Sequence, residues 1–144
     1  VTRRFLLVDD DADDASLFCE ASNRIQSIEC FTAENGVELF NLLPIHHINP
    51  SDIIFLDINM PMMDGWACLK KLKASADYNS IPVIMYSTSS AKKDIDKAYQ
   101  LGAQLFLTKP EDFRELIEIL ALVAVSPQHA LLSKLKGFKN VQTI

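Results

Sequence analysis

Four short strings in this sequence carry side chains able to do chemistry. Asp9-Asp10-Asp11 follows the apolar run Phe5-Leu6-Leu7-Val8. Asp57 closes Ile53-Ile54-Phe55-Leu56 and leads into Ile58-Asn59-Met60-Pro61. Ser87 follows residues 81–86, and Lys109-Pro110 follows residues 104–108. An ionised carboxylate beside an apolar core is costly unless something compensates it, and carboxylates brought together raise one another's pKa. Proton uptake or a hard cation would relieve Asp9, Asp10 and Asp57. An oxygen-only donor set without thiol or imidazole favours Mg²⁺ over zinc. Mg²⁺ beside a carboxylate suits phosphoryl transfer, in which positioning and charge neutralisation do most of the work. Asp57 is then the nucleophile and becomes an acyl phosphate, while the Lys109 ammonium and the Ser87 hydroxyl take phosphoryl oxygens. Each residue also has a plainer reading. Asp57 can end a strand in a turn, Asp9-Asp10 can cap a helix, Ser87 can bond backbone, and Lys109 can be a solvated loop lysine.

These residues matter only if the elements before them bring them together. Residues 4–8, 53–56, 81–86 and 104–108 read as short buried strands, because four to six apolar residues bounded by polar turns suit strands buried on both faces. Residues 27–32 read as a weaker strand. Between the strands lie helical patterns: Leu17, Phe18, Ala21 and Ile25; then Val37, Leu39, Phe40 and Leu43, stopped by Pro44; then Trp66, Leu69 and Leu72 after Asp64-Gly65. The fourth carries Ile95, Ala98 and Leu101, with Ser89 or Ser90 as its cap and Gly102 as its C′ residue. The last opens at Asp112 and carries Phe113, Leu116, Ile117, Leu120 and Val123. Five strand-then-helix repeats predict an α/β fold: a doubly wound parallel sheet with helices on both faces. In such sheets ligands sit beyond the carboxyl ends of the strands, where strand order reverses. The four strings lie at those ends, and an order 2-1-3-4-5 puts the first and third strands beside the reversal.

The whole chain has 144 residues, of which 49% are hydrophobic, enough for one domain with a core and too few for two ordinary ones. Its formal net charge of −5 disfavours nucleic acid as a partner. No apolar run approaches the ~20 residues of a membrane helix, and no signal peptide is visible, so the expected location is cytoplasmic. Cys19, Cys30 and Cys68 are scattered and form no C-x-x-C pair; they read as small apolar fillers in a reducing compartment.

The strings Leu7-Val8-Asp9-Asp10-Asp11, Phe55-Leu56-Asp57-Ile58-Asn59-Met60-Pro61-Met62-Met63-Asp64-Gly65, Ile81-Pro82-Val83-Ile84-Met85 leading to Ser87, Gly102-Ala103 and Leu107-Thr108-Lys109-Pro110 together resemble the receiver domain of two-component response regulators. The resemblance runs from about residue 3 to 125. It implies the flavodoxin-like (βα)5 fold and a phosphoryl group accepted by Asp57 from a kinase phosphohistidine. It implies Mg²⁺ held by Asp10, Asp57 and the Asn59 backbone carbonyl, with Asp9 assisting through water. Lys109 would pair with the Asp57 carboxylate and then with the phosphoryl group. Ser87 would be the switch hydroxyl, and Phe106 the aromatic whose rotamer follows it. The Lys109–Pro110 bond would be cis. Such a protein is not an enzyme beyond its own phosphorylation and dephosphorylation. Its partners would be a sensor histidine kinase or histidine phosphotransfer protein and a downstream protein. Alternatives within the family are a phosphorelay intermediate and a degenerate scaffold.

Two rivals from other classes share the sheet. A flavin-binding module would cradle phosphate after the first strand, but Asp9-Asp10-Asp11 repels phosphate. A Mg²⁺-dependent phosphatase needs an acid two residues beyond its nucleophile, where Asn59 stands and can neither donate nor accept a proton in that role. Asp11, Asp13 and Asp14 exceed the acids the resemblance requires; they favour a helix N-terminus or form a recognition edge for the kinase. Residues 1–125 read as the receiver and 126–144 as a tail too short for an output domain. In the tail, Ala130, Leu131, Leu132, Leu135 and Phe138 suit a short helix that is a strap on its own domain, a homodimer contact or a docking segment.

Overall fold

The alternation read from the sequence is present throughout the computed structural model, which describes residues 3–144. The strands are β1 (Arg3–Val8), β2 (Ile28–Ala33), β3 (Ile53–Leu56), β4 (Val83–Ser87) and β5 (Leu105–Thr108). The helices between and after them are α1 (Ala12–Asn23), α2 (Gly36–Ile45), α3 (Gly65–Ala74), α4 (Lys92–Gln100) and α5 (Phe113–Val125). The tail adds a 3₁₀ turn (Gln128–Ala130), α6 (Leu131–Leu135) and β6 (Val141–Gln142). Strand order is β2-β1-β3-β4-β5-β6. The first five strands are parallel in the expected order. The sheet therefore has six strands, not the five that the sequence predicts. β6 is antiparallel to β5, with Gln142 opposite Phe106 and Val141 opposite Leu107. Two residues of strand within a polar tail give no periodic signal, and a partner strand is what makes them extended.

Side chains alternate across the pleat. Leu6, Val8, Ile54, Leu56, Val83, Met85 and Phe106 point into a core under α2, α3 and α4. Phe5, Leu7, Ile53, Phe55, Ile84, Tyr86, Leu105 and Leu107 point into the opposite core, under α1, α5 and the tail. Burial on both faces is why these strands read as unbroken apolar runs. In the second core Phe18 of α1 stands edge-on to Phe55 (4.8 Å) and Tyr86 (5.3 Å). That packing fixes the height of α1 above the sheet and so the position of its acidic first turn. Leu131, Leu135 and Val141 are buried in the same core, so the tail packs as a strap on its own domain.

Caps set where the helices begin. Asp11 Oδ1 accepts from Asp13 N and Asp14 N at 3.0 Å, and Asp64 Oδ1 accepts from Ala67 N at 2.9 Å. At α4 the N-cap position is Ala91, not Ser89 or Ser90, and it makes no side-chain cap bond. Ser89 Oγ instead accepts from Ala91 N and donates to Asp94 Oδ2, serving the same turn from two residues further out. α2 runs one residue past Pro44; the proline forfeits a bond to Phe40 O, and His46 N closes the last turn on Leu42 O. Gly102 adopts φ +99° after α4, the left-handed conformation expected of a C′ glycine.

Candidate functional site

Three ladder bonds carry the sheet one residue beyond its strands. Asp9 N donates to Ala33 O (3.0 Å), Asp57 N to Val8 O (2.9 Å) and Lys109 N to Ser87 O (2.7 Å). Asp9, Asp57 and Lys109 are thereby the first residues over the lip of the sheet, held by backbone and not by loop chance. One carboxylate oxygen from each of Asp9, Asp10 and Asp57 lies within 4.8 Å of the other two. Asp9 and Asp57 are buried (3% and 8% exposed) while Asp10 is exposed. Asp57 Oδ1 accepts from its neighbour Ile58 N at 2.9 Å, which leaves Oδ2 toward the rim.

The loop after Asp57 is drawn back over the strand. Gly65 N donates to Ile58 O at 2.8 Å, and a Cβ at Gly65 would collide with the Asp57 backbone oxygen. Glycine is required there by close backbone approach. Asn59 is exposed on this loop, one turn of chain beyond Asp57.

Lys109 meets the acids differently from the expectation. Its Nζ is 2.8 Å from Asp9 Oδ2, 2.8 Å from Asp14 Oδ2 and 3.9 Å from Asp57 Oδ2. The close partners are thus Asp9 and Asp14, and Asp57 is only the third. Asp14 lies in the first turn of α1, the third residue of the helix that Asp11 caps. Sequence reasoning gave it only a helix-end or recognition role. No local pattern in the sequence marks it, because its partner is 95 residues away.

The electrostatics follow from this crowding. Burial pushes the Asp57 carboxyl up to about 7, with Lys109 pulling it down and Asp9 adding to the rise. Burial by itself would lower the Lys109 ammonium, but its bonds to Asp14 and Asp9 and the charge of Asp57 outweigh burial, and its net direction is upward. Burial, then the charges of Asp14, Asp9 and Asp57, push the Tyr86 phenol up. Asp9 Oδ2 is buried with no well-aligned hydrogen bond, although the Lys109 ammonium is close. Three carboxylates, two of them buried, that bring one oxygen each within 4.8 Å of the others with a single ammonium among them fit a hard divalent cation. The residues present therefore suit the ion their types suggest.

Ser87 is buried at the end of β4, and its Oγ accepts from Ser89 N at 3.1 Å. Backbone bonding is thus present, and it leaves the hydroxyl proton uncommitted among the described bonds. Phe106 is fully buried under α4, together with Ile95 and Ala98. Its N–H donates to Tyr99 Oη (3.2 Å), and Tyr99 Oη donates to Gln142 O (2.5 Å). One hydroxyl therefore joins α4, β5 and β6. The Lys109–Pro110 bond is trans, as are all the described peptide bonds, and not cis as the resemblance implies. Trans is the lower-energy isomer even before proline. The tail reaches the same rim: Thr108 N donates to Asn140 O. A cavity of about 500 Å³ there is walled by Thr108, Lys109, Glu111, Lys139 and Asn140 among others.

Comparison with known proteins agrees with the geometry. The family model described as "Response regulator receiver domain" matches residues 5–121. The chain is 29% identical over 107 residues to a chemotaxis protein CheY homolog of Campylobacter jejuni, covering 74% of this chain and 81% of that one. It is 33% identical over 114 residues to the two-component response regulator ARR17 of Arabidopsis thaliana, covering 73% of this chain and 74% of that one. A further relative, the probable transcriptional regulator ycf29 of Pyropia yezoensis, is 36% identical over 95 residues, 66% of this chain; the match spans only 41% of that protein. Among solved structures, the phosphorylated cyanobacterial phytochrome response regulator RcpA superposes with a TM-score of 0.76 at 26% identity, over 99% of this chain and 100% of that one. The Mn²⁺-bound form of response regulator Rcp1 superposes with a TM-score of 0.70 at 25% identity, over 83% and 89%. With its five parallel strands in order and its acids at the lip of the sheet, the chain belongs to the response regulator receiver family.

Proposed function

We propose that Asp57 accepts a phosphoryl group from a phosphohistidine of a sensor kinase or histidine phosphotransfer protein, and that the protein signals by protein contact. The observation that carries this reading is the placement of Asp57 at the lip, with Asp9, Asp10 and Lys109 gathered around its free oxygen. Asp57 Oδ2 attacks phosphorus, a P–O bond forms, and the P–N bond to the imidazole breaks. The histidine leaves with the electron pair of that bond. Asp9, Asp10, Asp57 and the Asn59 carbonyl would hold Mg²⁺. The ion supplies neutralisation of phosphoryl charge. Lys109 shifts from Asp14 and Asp9 toward the new phosphoryl oxygens, and the uncommitted Ser87 proton is donated to one of them. Asn59 leaves no acid in place to turn the acyl phosphate over onto other esters, so the chain acts only on itself.

The relatives support the same class. One is a phosphorylated response regulator, and another carries Mn²⁺. Phosphorylation adds nearly two negative charges and would bias the loop between β4 and α4, where Ser87 sits. Because Phe106 is already inside, its inward packing needs no phosphate, and the switch would act on the loop and α4 more than on this ring.

Incubation with acetyl phosphate, with and without Mg²⁺, followed by intact mass, tests the reading. The expected result is an adduct of ~80 Da that requires Mg²⁺ and is lost in Asp57→Asn. An unmodified wild type under both conditions overturns it.

A further inference from the structure

Two cysteines that the sequence leaves eleven residues apart are brought face to face. Cys19 on α1 and Cys30 on β2 place their sulfurs 2.9 Å apart. Both are free thiols and both are partly exposed, whereas the third, Cys68, is buried. Cys68 packs in the core under α2, α3 and α4, on the opposite side of the sheet from the core that Cys30 packs against. The expectation of inert fillers therefore holds for Cys68 alone.

We propose that Cys19 and Cys30 are a redox modification site, oxidised by hydrogen peroxide to an intramolecular disulfide. Closing the bond takes a movement of about 0.9 Å from the observed separation to the usual S–S length. The two elements are joined by a short turn, so the cross-link fits the existing packing. Access is provided by a cavity of about 280 Å³ open to solvent, whose walls include Cys19, Ser16 and Thr32 as well as Asp9 and Asp10.

The two thiols are unequal. The bond from Cys30 lowers the Cys19 thiol below its ordinary value, outweighing burial. The same bond, with burial, raises Cys30. Cys19 also lines the open cavity and Cys30 does not; nucleophilicity belongs to an accessible thiolate, so Cys19 reacts first. Its sulfur attacks one peroxide oxygen; the O–O bond breaks, water leaves, and Cys19 becomes a sulfenic acid. Cys30 sulfur then attacks that sulfur, the S–O bond breaks, and a second water leaves carrying the thiol proton. Two thiols and one peroxide give one disulfide and two waters, with the peroxide reduced by two electrons. This site does not depend on phosphoryl chemistry.

The test treats the full chain with hydrogen peroxide, reads intact mass, then unfolds it in urea and alkylates the remaining thiols with iodoacetamide. A loss of about 2 Da, one alkylated cysteine (Cys68) and full reversal by dithiothreitol are expected. Cys19→Ser and Cys30→Ser should each abolish the loss. In Cys30→Ser a dimedone adduct should accumulate on Cys19, and Cys19→Ser should give none on Cys30. Gains of oxygen without cross-linking in the wild type, covalent dimers, or unchanged mass would each overturn the proposal. So would a dimedone adduct on Cys30 in preference to Cys19.

Discussion

A single carboxyl group, that of Asp57, makes the metal-free fold pH-sensitive. Its ordinary value is 3.8 and burial pushes it up to about 7. Between those values the folded chain holds the proton more tightly than the unfolded chain does. Stability is therefore greatest below about pH 4 as far as this group is concerned, and its contribution is lost as pH rises through about 7. A shift of that size is worth at most about 4 kcal/mol, and water at the open rim reduces it to about 1–2 kcal/mol. Urea unfolding in EDTA at pH 5 and pH 8 should show this slope for the wild type and a flatter one for Asp57→Asn. Mg²⁺ at pH 8 should restore stability to the wild type by binding only the folded form. Equal slopes in both proteins would contradict the assignment. Asp14 gives a second prediction. It holds Lys109 at 2.8 Å while Asp57 is at 3.9 Å, so the two carboxylates compete for one ammonium. Asp14→Asn should weaken that competition by roughly 1 kcal/mol, about fivefold. The phosphorylated fraction at limiting acetyl phosphate should rise by a similar factor, with a smaller gain for Asp14→Glu. A fall in that fraction would show that Asp14 assists Lys109 instead of restraining it.

Among elements, the tail changes the receiver most. β6 occupies the outer edge of β5, and Leu131, Leu135 and Val141 extend the core beneath α5. An open strand edge invites pairing with another chain, and here the chain pairs with itself. The link to the rest is the Tyr99 hydroxyl, between Phe106 N and Gln142 O. Tyr99→Phe removes both bonds, a loss of roughly 1–3 kcal/mol. Hydrogen exchange should then quicken at residues 106 and 140–142 more than in β1 or β3. Uniform quickening across the sheet would mean that β6 is not a separately held element.

At the scale of the molecule, four of the five parallel strands were plainly legible because strands buried on both faces leave unbroken apolar runs; β2, half-exposed along its length, gave a weaker signal, and the strand order is a property of the fold that the resemblance implies. The rim was legible because Asp9, Asp57, Ser87 and Lys109 each stand at the end of such a run. What could not be read depends on contacts between elements. The Lys109–Asp14 bond spans 95 residues, and no local pattern encodes it. The Cys19–Cys30 contact depends on the height of α1 over β2, which Phe18 sets from inside. β6 was invisible because two extended residues have no period. The cis bond was expected from resemblance alone, with no physical signal in the residues around it.

The direction of β6 has a practical result for anyone attaching a probe. Because that strand runs against β5, its beginning is at the rim, where Asn140 O accepts from Thr108 N, and its end leads away from Asp57. A fluorophore joined after Ile144 would stay remote from the phosphoryl acceptor. One attached at Lys139, an exposed side chain on the wall of the cavity that Lys109 also lines, would stand beside the rim, and so is the better place for a reporter of the phosphorylated state.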